Sequence, residues 1–276
     1  MTASGIPVVL TIAGSDSGGG AGIQADLKTF AAHGVYGTSA ITAVTAQNTR
    51  GVSAVLALPA DLVTSQIEAV ASDIAIHATK IGMLANAAIV EAVAAAIAEL
   101  ELPLVVVDPV MVAKSGDRLL DEDGVRVIRS ELLPRALVVT PNIPEAEVLA
   151  GISIRTLNDA REAARRIQRL GPSVVVKGGH GTDADLVDLV LDDDVFVPLH
   201  TPRIATRSTH GTGCTFASAI AANLALGLNL LEATKRAQTY VNGAIRHGLA
   251  IGAGHGPLDH FWNQRHAPSV ETSYTG

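Results

Sequence analysis

Three short runs of aliphatic, mostly β-branched residues pass straight into a polar residue: Leu104 to Val107 (LVVV) into Asp108, Leu137 to Val139 (LVV) into Thr140, and Val174 to Val176 (VVV) into Lys177. A strand without polar alternation has no face to offer water, so it belongs inside a sheet covered on both sides. Helical patterns separate these runs, and strands that alternate with helices build a mostly parallel sheet, an α/β fold. The same rhythm predicts strands at Val8 to Ala13 and Ala78 to Ile81, and helices near Ile23 to His33, Ala60 to Asp73 and Asn86 to Leu100. Gly37 to Ala46 and Val52 to Leu58 read as strands, with Gln47, Asn48 and Thr49 at the turn, so that Gln47 is expected at the end of a buried strand. Leu186 to Leu191 and Val195 to Leu199 flank the acidic turn Asp192 to Asp194 and read as an antiparallel hairpin at a sheet edge. Helices Thr212 to Leu226 and Leu230 to Gly248 follow. No linker or internal repeat divides the chain, which predicts one domain over residues 1–263 and a weakly ordered polar tail over 264–276.

In a parallel sheet, ligands lie beyond the carboxyl ends of the strands. Asp108, Asn142, Glu145 and Lys177 all follow such ends and are expected to share one crevice. A second constellation is Ser208 to Gly227 (STHGTGCTFASAIAANLALG), a glycine-broken polar run passing directly into an alanine-rich helix. The first turn of a helix carries unpaired N–H groups and the positive end of the macrodipole, which makes it an anion site. Gly211 and Gly213 let backbone approach an anion closely, Thr209 and Thr212 add hydroxyl donors, and phosphate is the expected guest. Cys214 sits inside this motif, where the dipole is expected to lower its pKa while bound phosphates oppose that. Near the start, strand, glycine loop (GSDSGGGAG, residues 14–22) and helix follow one another, but neither a dinucleotide fingerprint nor a P-loop is present.

Hydrophobic residues make up 48% of the 276 and charged residues 17%, which disfavours disorder, while 3% aromatics argue against a base-stacking surface. With 20 Lys+Arg against 27 Asp+Glu the net charge is -7, so neither nucleic acid nor an anionic membrane is an expected partner; small molecules are. No basic segment precedes the first apolar run and no stretch approaches the roughly 20 apolar residues of a membrane span. The single cysteine excludes an internal disulfide and suits a reducing cytoplasm.

Taken together, AGSDSGGGAGIQADLKT (13–29), TAQNTRGV (45–52), TKIGML (79–84), DPVMVAKSG (108–116), TPNIPEAE (140–147), KGGH (177–180) and THGTGCT (209–215) resemble the hydroxymethylpyrimidine/phosphomethylpyrimidine kinases of thiamine biosynthesis, over roughly residues 6–263. The resemblance implies a ribokinase-like three-layer sandwich, a homodimer, and use of ATP and Mg²⁺ to phosphorylate 4-amino-5-hydroxymethyl-2-methylpyrimidine and then its monophosphate. It implies Gln47 as the reader of the pyrimidine, since a carboxamide offers one donor and one acceptor edge. It further implies Asp26 as a contact to the substrate hydroxyl, and Gly14, Ala21, Met83 and Val110 as pocket walls. Asp108 and Glu145 would organise Mg²⁺, often through water. Asn142 and Lys177 would lie on the phosphate side. Read without the resemblance, the strand-end acids are ordinary caps, Asp26 complements a helix dipole, and His180 and His210 are solvated loop residues. Cys214 stands where sugar kinases of this fold carry an aspartate base, a substitution shared with some pyridoxal kinases. Two other functions stay open: a pyridoxal kinase, and a non-catalytic regulator that binds nucleotide or precursor.

Overall fold

A computed structural model describes residues 5–112, 119–178 and 185–265. In chain order its strands are β1 (Val8–Asp16), β2 (Tyr36–Asn48), β3 (Gly51–Ala57), β4 (Ala78–Ile81), β5 (Val105–Val107), β6 (Val138–Val139), β7 (Ser173–Val176), β8 (Asp185–Asp192) and β9 (Val195–Pro202). The helices are α1 (Gly22–Ala32), α2 (Ala60–Ala71), α3 (Ala87–Glu99), α4 (Glu122–Val127), α5 (Ile143–Ala150), α6 (Leu157–Gln168), α7 (Thr212–Ala225), α8 (Leu230–Arg246) and α9 (Trp262–Arg265). A π turn and a 3-10 turn carry α4 on to Arg135.

All these strands join one sheet in the order β3-β2-β1-β4-β5-β6-β7-β8-β9. The centre, from β2 through β7, is parallel, and the apolar runs seen in the sequence occupy it. The β8–β9 hairpin closes one edge antiparallel, as expected. The other edge is antiparallel too, because β2 turns back into β3. Helices cover both faces: α2, α3, α5 and α6 enclose one apolar core, and α1, α7 and α8 the other. The three-layer arrangement follows from the strand pattern, since a strand apolar on both sides requires two helical layers.

Two expectations shift. Gln47 and Asn48 remain in β2, the turn being Thr49–Arg50, and this end of β2 is not buried: Val44, Ala46 and Asn48 are exposed on either side of a β-bulge between Ala46 and Gln47. At the other terminus Gln264 and Arg265 belong to α9, where Arg265 reaches Asp259, so the boundary of the folded part moves past 263; the rest of the proposed tail, 266–276, lies outside the described residues.

α7 is the helix closest to the chemistry. Ala217, Ala219, Ala221 and Ala222 are fully buried, and their small side chains let the helix axis approach the sheet closely. Gly227, at φ +89, terminates it in the left-handed region that glycine tolerates best.

Candidate active site

The carboxyl ends of β5, β6 and β7 deliver three adjacent side chains to one cleft. Asp108 follows β5, Asn142 follows Val139 by three residues, and Lys177 follows β7. The Lys177 ammonium donates to Asp108 Oδ1 at 2.7 Å and lies 4.0 Å from Glu145 Oε2. Glu145 is held in place by α5 itself. Asn142 is the N-cap, its Oδ1 accepting from the Glu145 amide at 2.9 Å, and Glu145 Oε2 accepts in return from the Asn142 amide at 2.8 Å. This reciprocal capping box satisfies two orphan donors and fixes the Glu145 carboxyl at the cleft. Burial raises that carboxyl, Lys177 pulls it back, Asp108 opposes Lys177, and the balance leaves it at about 7. Two acids sharing a single lysine are under-compensated, and a divalent cation with part of its water shell would complete their charge balance. Among the described residues no cluster of three or more His, Cys, Asp or Glu side chains could hold a metal directly, so Mg²⁺ here would rely on water and phosphate oxygens for its remaining ligands.

Beside these groups lies the start of α7. Its N-cap, Gly211, has φ +83 and no side chain to cap the free amides. A Cβ on Gly213 would stand 3.3 Å from Lys177 Nζ and 3.5 Å from Asp108 Oδ2, so the anion hole abuts the lysine and acid pair. Of the two threonines expected to face an anion, Thr212 spends its hydroxyl proton on the Thr209 carbonyl at 2.8 Å. The expected lowering of the Cys214 thiol is overturned. Burial pushes it up, Lys80 and the Gly22 amide only partly offset this, and Asp108 and Asp26 add to the rise, leaving it at about 11. Desolvation and two nearby carboxylates disfavour the thiolate.

The glycine loop forms the opposite wall. Gly14 packs against Met83, whose Sδ would be 3.1 Å from a Cβ at that position. Ala21, Val110 and Gln47 line the same cleft. The backbone of Gln47 is fixed by Ser17, whose Oγ donates to the Gln47 carbonyl and accepts from its amide, both at 2.8 Å. One end of the Gln47 carboxamide, Oε1, lies 3.2 Å from Thr45 Oγ1, and the other, Nε2, 3.4 Å from His210 Nε2.

Of the residues singled out in the sequence, Gly14, Ala21, Gln47, Met83, Asp108, Val110, Asn142, Glu145, Lys177 and Thr209 through Cys214 all line this single cleft of about 820 Å³. Asp26 does not. It is fully buried, with Oδ2 accepting from Thr11 Oγ1 at 2.6 Å and Lys80 Nζ at 2.9 Å, and Oδ1 from Ser218 Oγ at 2.6 Å. Both oxygens accept from protein donors, and Asp26 forms a buried ion pair beneath the site. His210, read as a solvated loop residue, instead bonds Asp16; His180 lies outside the described residues. Asp16, Thr45 and the far wall formed by Phe216, Gln238 and Val241 carried no signal in the sequence beyond their place in the motifs.

No described helix is long and apolar enough to cross a membrane. The family model for phosphomethylpyrimidine kinase matches residues 16–259. A hydroxymethylpyrimidine/phosphomethylpyrimidine kinase from Synechococcus elongatus is 54% identical over 259 residues, 93% of this chain and 98% of the relative. The thiamine biosynthesis bifunctional protein ThiED of Geobacter sulfurreducens is 53% identical over 91% of this chain, which spans only 52% of that longer protein. Among solved structures, the ADP complex of Bacillus subtilis pyridoxal kinase superposes with a TM-score of 0.88 at 38% identity, over 94% of this chain and 99% of the other. With a site of this geometry and similarity of this extent, the chain belongs to the phosphomethylpyrimidine kinase family.

Proposed function

We propose that the protein is an ATP-dependent kinase that phosphorylates 4-amino-5-hydroxymethyl-2-methylpyrimidine and then converts the monophosphate to the diphosphate, within thiamine biosynthesis. The observation that carries this reading is the meeting, in one cleft, of the Gln47 carboxamide with the α7 anion hole and the Lys177–Asp108–Glu145 group. Gln47 would pair with the aminopyrimidine edge, the amides of Gly213 and Cys214 would hold the transferring phosphoryl group, and Lys177 would follow the charge on its oxygens as a point charge. Asp108 and Glu145 would hold Mg²⁺ through water. When bound, that ion neutralises phosphate charge and orients the nucleotide. The wall made by Phe216 of α7 with Gln238 and Val241 of α8 would give the nucleotide base an apolar slot with a polar rim.

Cys214 is the candidate base for the alcohol proton, weak because its thiol is protonated at neutral pH. A homodimer in the cytoplasm is part of the proposal. Supporting the dimer, Val44 and Leu56 pair across β2 and β3 and are both exposed, an apolar pair at the sheet edge. The likeness to a pyridoxal kinase structure favours one alternative, a pyridine alcohol in the same pocket.

The test is a substrate panel with products identified by mass: the pyrimidine alcohol, its monophosphate, pyridoxal and ribose, each with Mg·ATP. Sequential gain of two phosphates on the pyrimidine is expected. Turnover of pyridoxal alone would replace this reading with the alternative, and no turnover of any of them would remove the kinase assignment.

A further inference from the structure

Asp16 gathers one end of the cleft. It is 3% exposed, its Oδ1 accepts from the Gly18 amide at 2.8 Å, and its Oδ2 accepts from the amides of Gly20 at 3.0 Å and Ala21 at 2.8 Å. The remaining bond of Oδ2 runs 194 positions along the chain, to His210 Nε2 at 2.8 Å. The imidazole packs against Gly20, where any Cβ would collide with the ring, and the Gly20 carbonyl in turn fills the space a Cβ on Gly211 would need. The glycine loop and the α7 anion hole are thereby seated directly on one another. Burial alone would raise the Asp16 carboxyl, but His210 and the amides of Ala21 and Gly18 outweigh it, so the group is held below its ordinary value and is an acceptor only.

This fixes the protons around Gln47. A carboxylate accepts, so His210 Nε2 must carry the hydrogen it donates to Asp16. It then has no lone pair for the Gln47 N–H, and the carboxamide end 3.4 Å away must be the carbonyl oxygen. Thr45 gives the same answer independently. Its hydroxyl has one proton and lies 3.0 Å from the Ser15 carbonyl, which can only accept, so it presents a lone pair to Gln47 at 3.2 Å and calls for the amide nitrogen there. A half-turn of the carboxamide turns its N–H toward the Thr45 lone pair and its oxygen toward an imidazole N–H already given to Asp16, which removes the donor–donor clash and leaves one N–H and one oxygen lone pair free for a ligand.

We propose that Asp16 and His210 form a positioning pair that sets the orientation of the Gln47 carboxamide, so that its remaining donor and acceptor read an amino-substituted ring whose exocyclic N–H lies beside a ring nitrogen. Neither residue touches the reacting atoms; they act through Gln47. The substrate class rests on the function proposed above, while the proton arrangement stands on the hydrogen bonds alone.

Two measurements separate these. In the unliganded, ¹⁵N-labelled protein, long-range proton–nitrogen correlation of His210 should show Nε2 protonated; a bare Nε2 with hydrogen on Nδ1 would overturn the pair whatever the substrate proves to be. In steady-state kinetics, His210→Phe should raise the KM for the aminopyrimidine alcohol by about tenfold, because a carboxamide released from its fixed orientation mispairs with the ring, with the KM for ATP within about twofold. In a Gln47→Ala background the same change should add almost nothing. Full additivity with Gln47→Ala, or equal losses for ATP and pyrimidine, would mean that His210 only supports the loops. If His210→Phe does not fold, His210→Gln takes its place in the cycle, and the nitrogen measurement decides on the unmodified protein. An unmodified enzyme that ignores the pyrimidine while showing Nε2 protonated would sink the substrate class and leave the pair intact.

Discussion

Beneath Cys214 lies a lysine that never meets water. Lys80 and Asp26 are both fully buried and 2.9 Å apart, and the Thr11 and Ser218 hydroxyls donate to the same carboxylate. Burial by itself would lower the Lys80 pKa; the Asp26 carboxylate beside it raises it instead, so the ammonium stays charged. Removing one partner of such a pair strands the other, which typically costs about 3–5 kcal/mol. Asp26→Ala is therefore expected to lower stability by that order in chemical denaturation, and Asp26→Ala with Lys80→Met to recover much of it. If Asp26→Ala folds with unchanged stability and loses only pyrimidine turnover, the substrate contact suggested by sequence resemblance is restored. The motif GIQADLKT identified Asp26 as special, but its partners stand 54 and 192 positions away, at Lys80 and Ser218, and no local pattern encodes such distances. Cys214 is similar: its place at a helix N-terminus is visible in the sequence, whereas the burial and the two carboxylates that raise its pKa are supplied by the fold.

At the scale of elements, α5 shows a cap and a ligand built from the same atoms. The sequence placed Asn142 and Glu145 just past a strand end and offered a cap or a metal role for Glu145 and a phosphate contact for Asn142; the three-residue spacing is that of a capping box, and the box forms. The two readings are compatible, since only Oε2 of Glu145 caps Asn142. A carboxyl whose pKa rises from 4.5 to about 7 on folding binds its proton more tightly in the native state. Stability of the unliganded protein therefore falls as pH rises through that window, and the full penalty is present above it. Glu145→Gln keeps an acceptor for the cap but cannot ionise. It should raise the melting temperature at pH 8 by roughly 2–6 °C and by much less at pH 5, while increasing the Mg²⁺ concentration needed for half-maximal rate. Calorimetry without nucleotide, paired with Mg²⁺ titrations of the rate, checks both. An unaltered Mg²⁺ dependence would leave Glu145 as a cap alone. The strands were legible because an apolar run passing into a polar residue is a local signal; the bulge in β2 that carries Gln47 was not, because it depends on register with β3.

At the scale of the whole molecule, the parallel centre brings the polar carboxyl ends of β5, β6 and β7 to one side, and the cleft there joins titrating groups from distant elements. Its pH response should report them separately. Ionisation of Glu145, at about 7, belongs to the phosphate side and should lift kcat/KM for both pyrimidine substrates between pH 6 and 8. Cys214, at about 11, concerns only a nucleophile that must lose a proton. The alcohol is one; the monophosphate, with a second pKa near ~6, already presents an anionic oxygen. Transfer through a loose transition state leaves most of the rate to positioning and charge, so a mostly protonated thiol still suffices, with a thiolate fraction that grows tenfold per pH unit. The alcohol profile is therefore expected to keep climbing from pH 8 to 9.5 while the monophosphate profile is level. Cys214→Ser removes the titrating thiol but keeps the backbone amides, so it should flatten the alcohol profile above pH 8 and slow that step more than the other, by at most about 10² to 10⁴. Single-turnover rates at saturating Mg·ATP, measured for both substrates and both enzymes across this range, decide the matter. Should the two profiles superimpose in the unmodified enzyme, or should Cys214→Ser slow both steps by one factor, Cys214 would act through the shape of the anion hole and the alcohol would lose its proton without it.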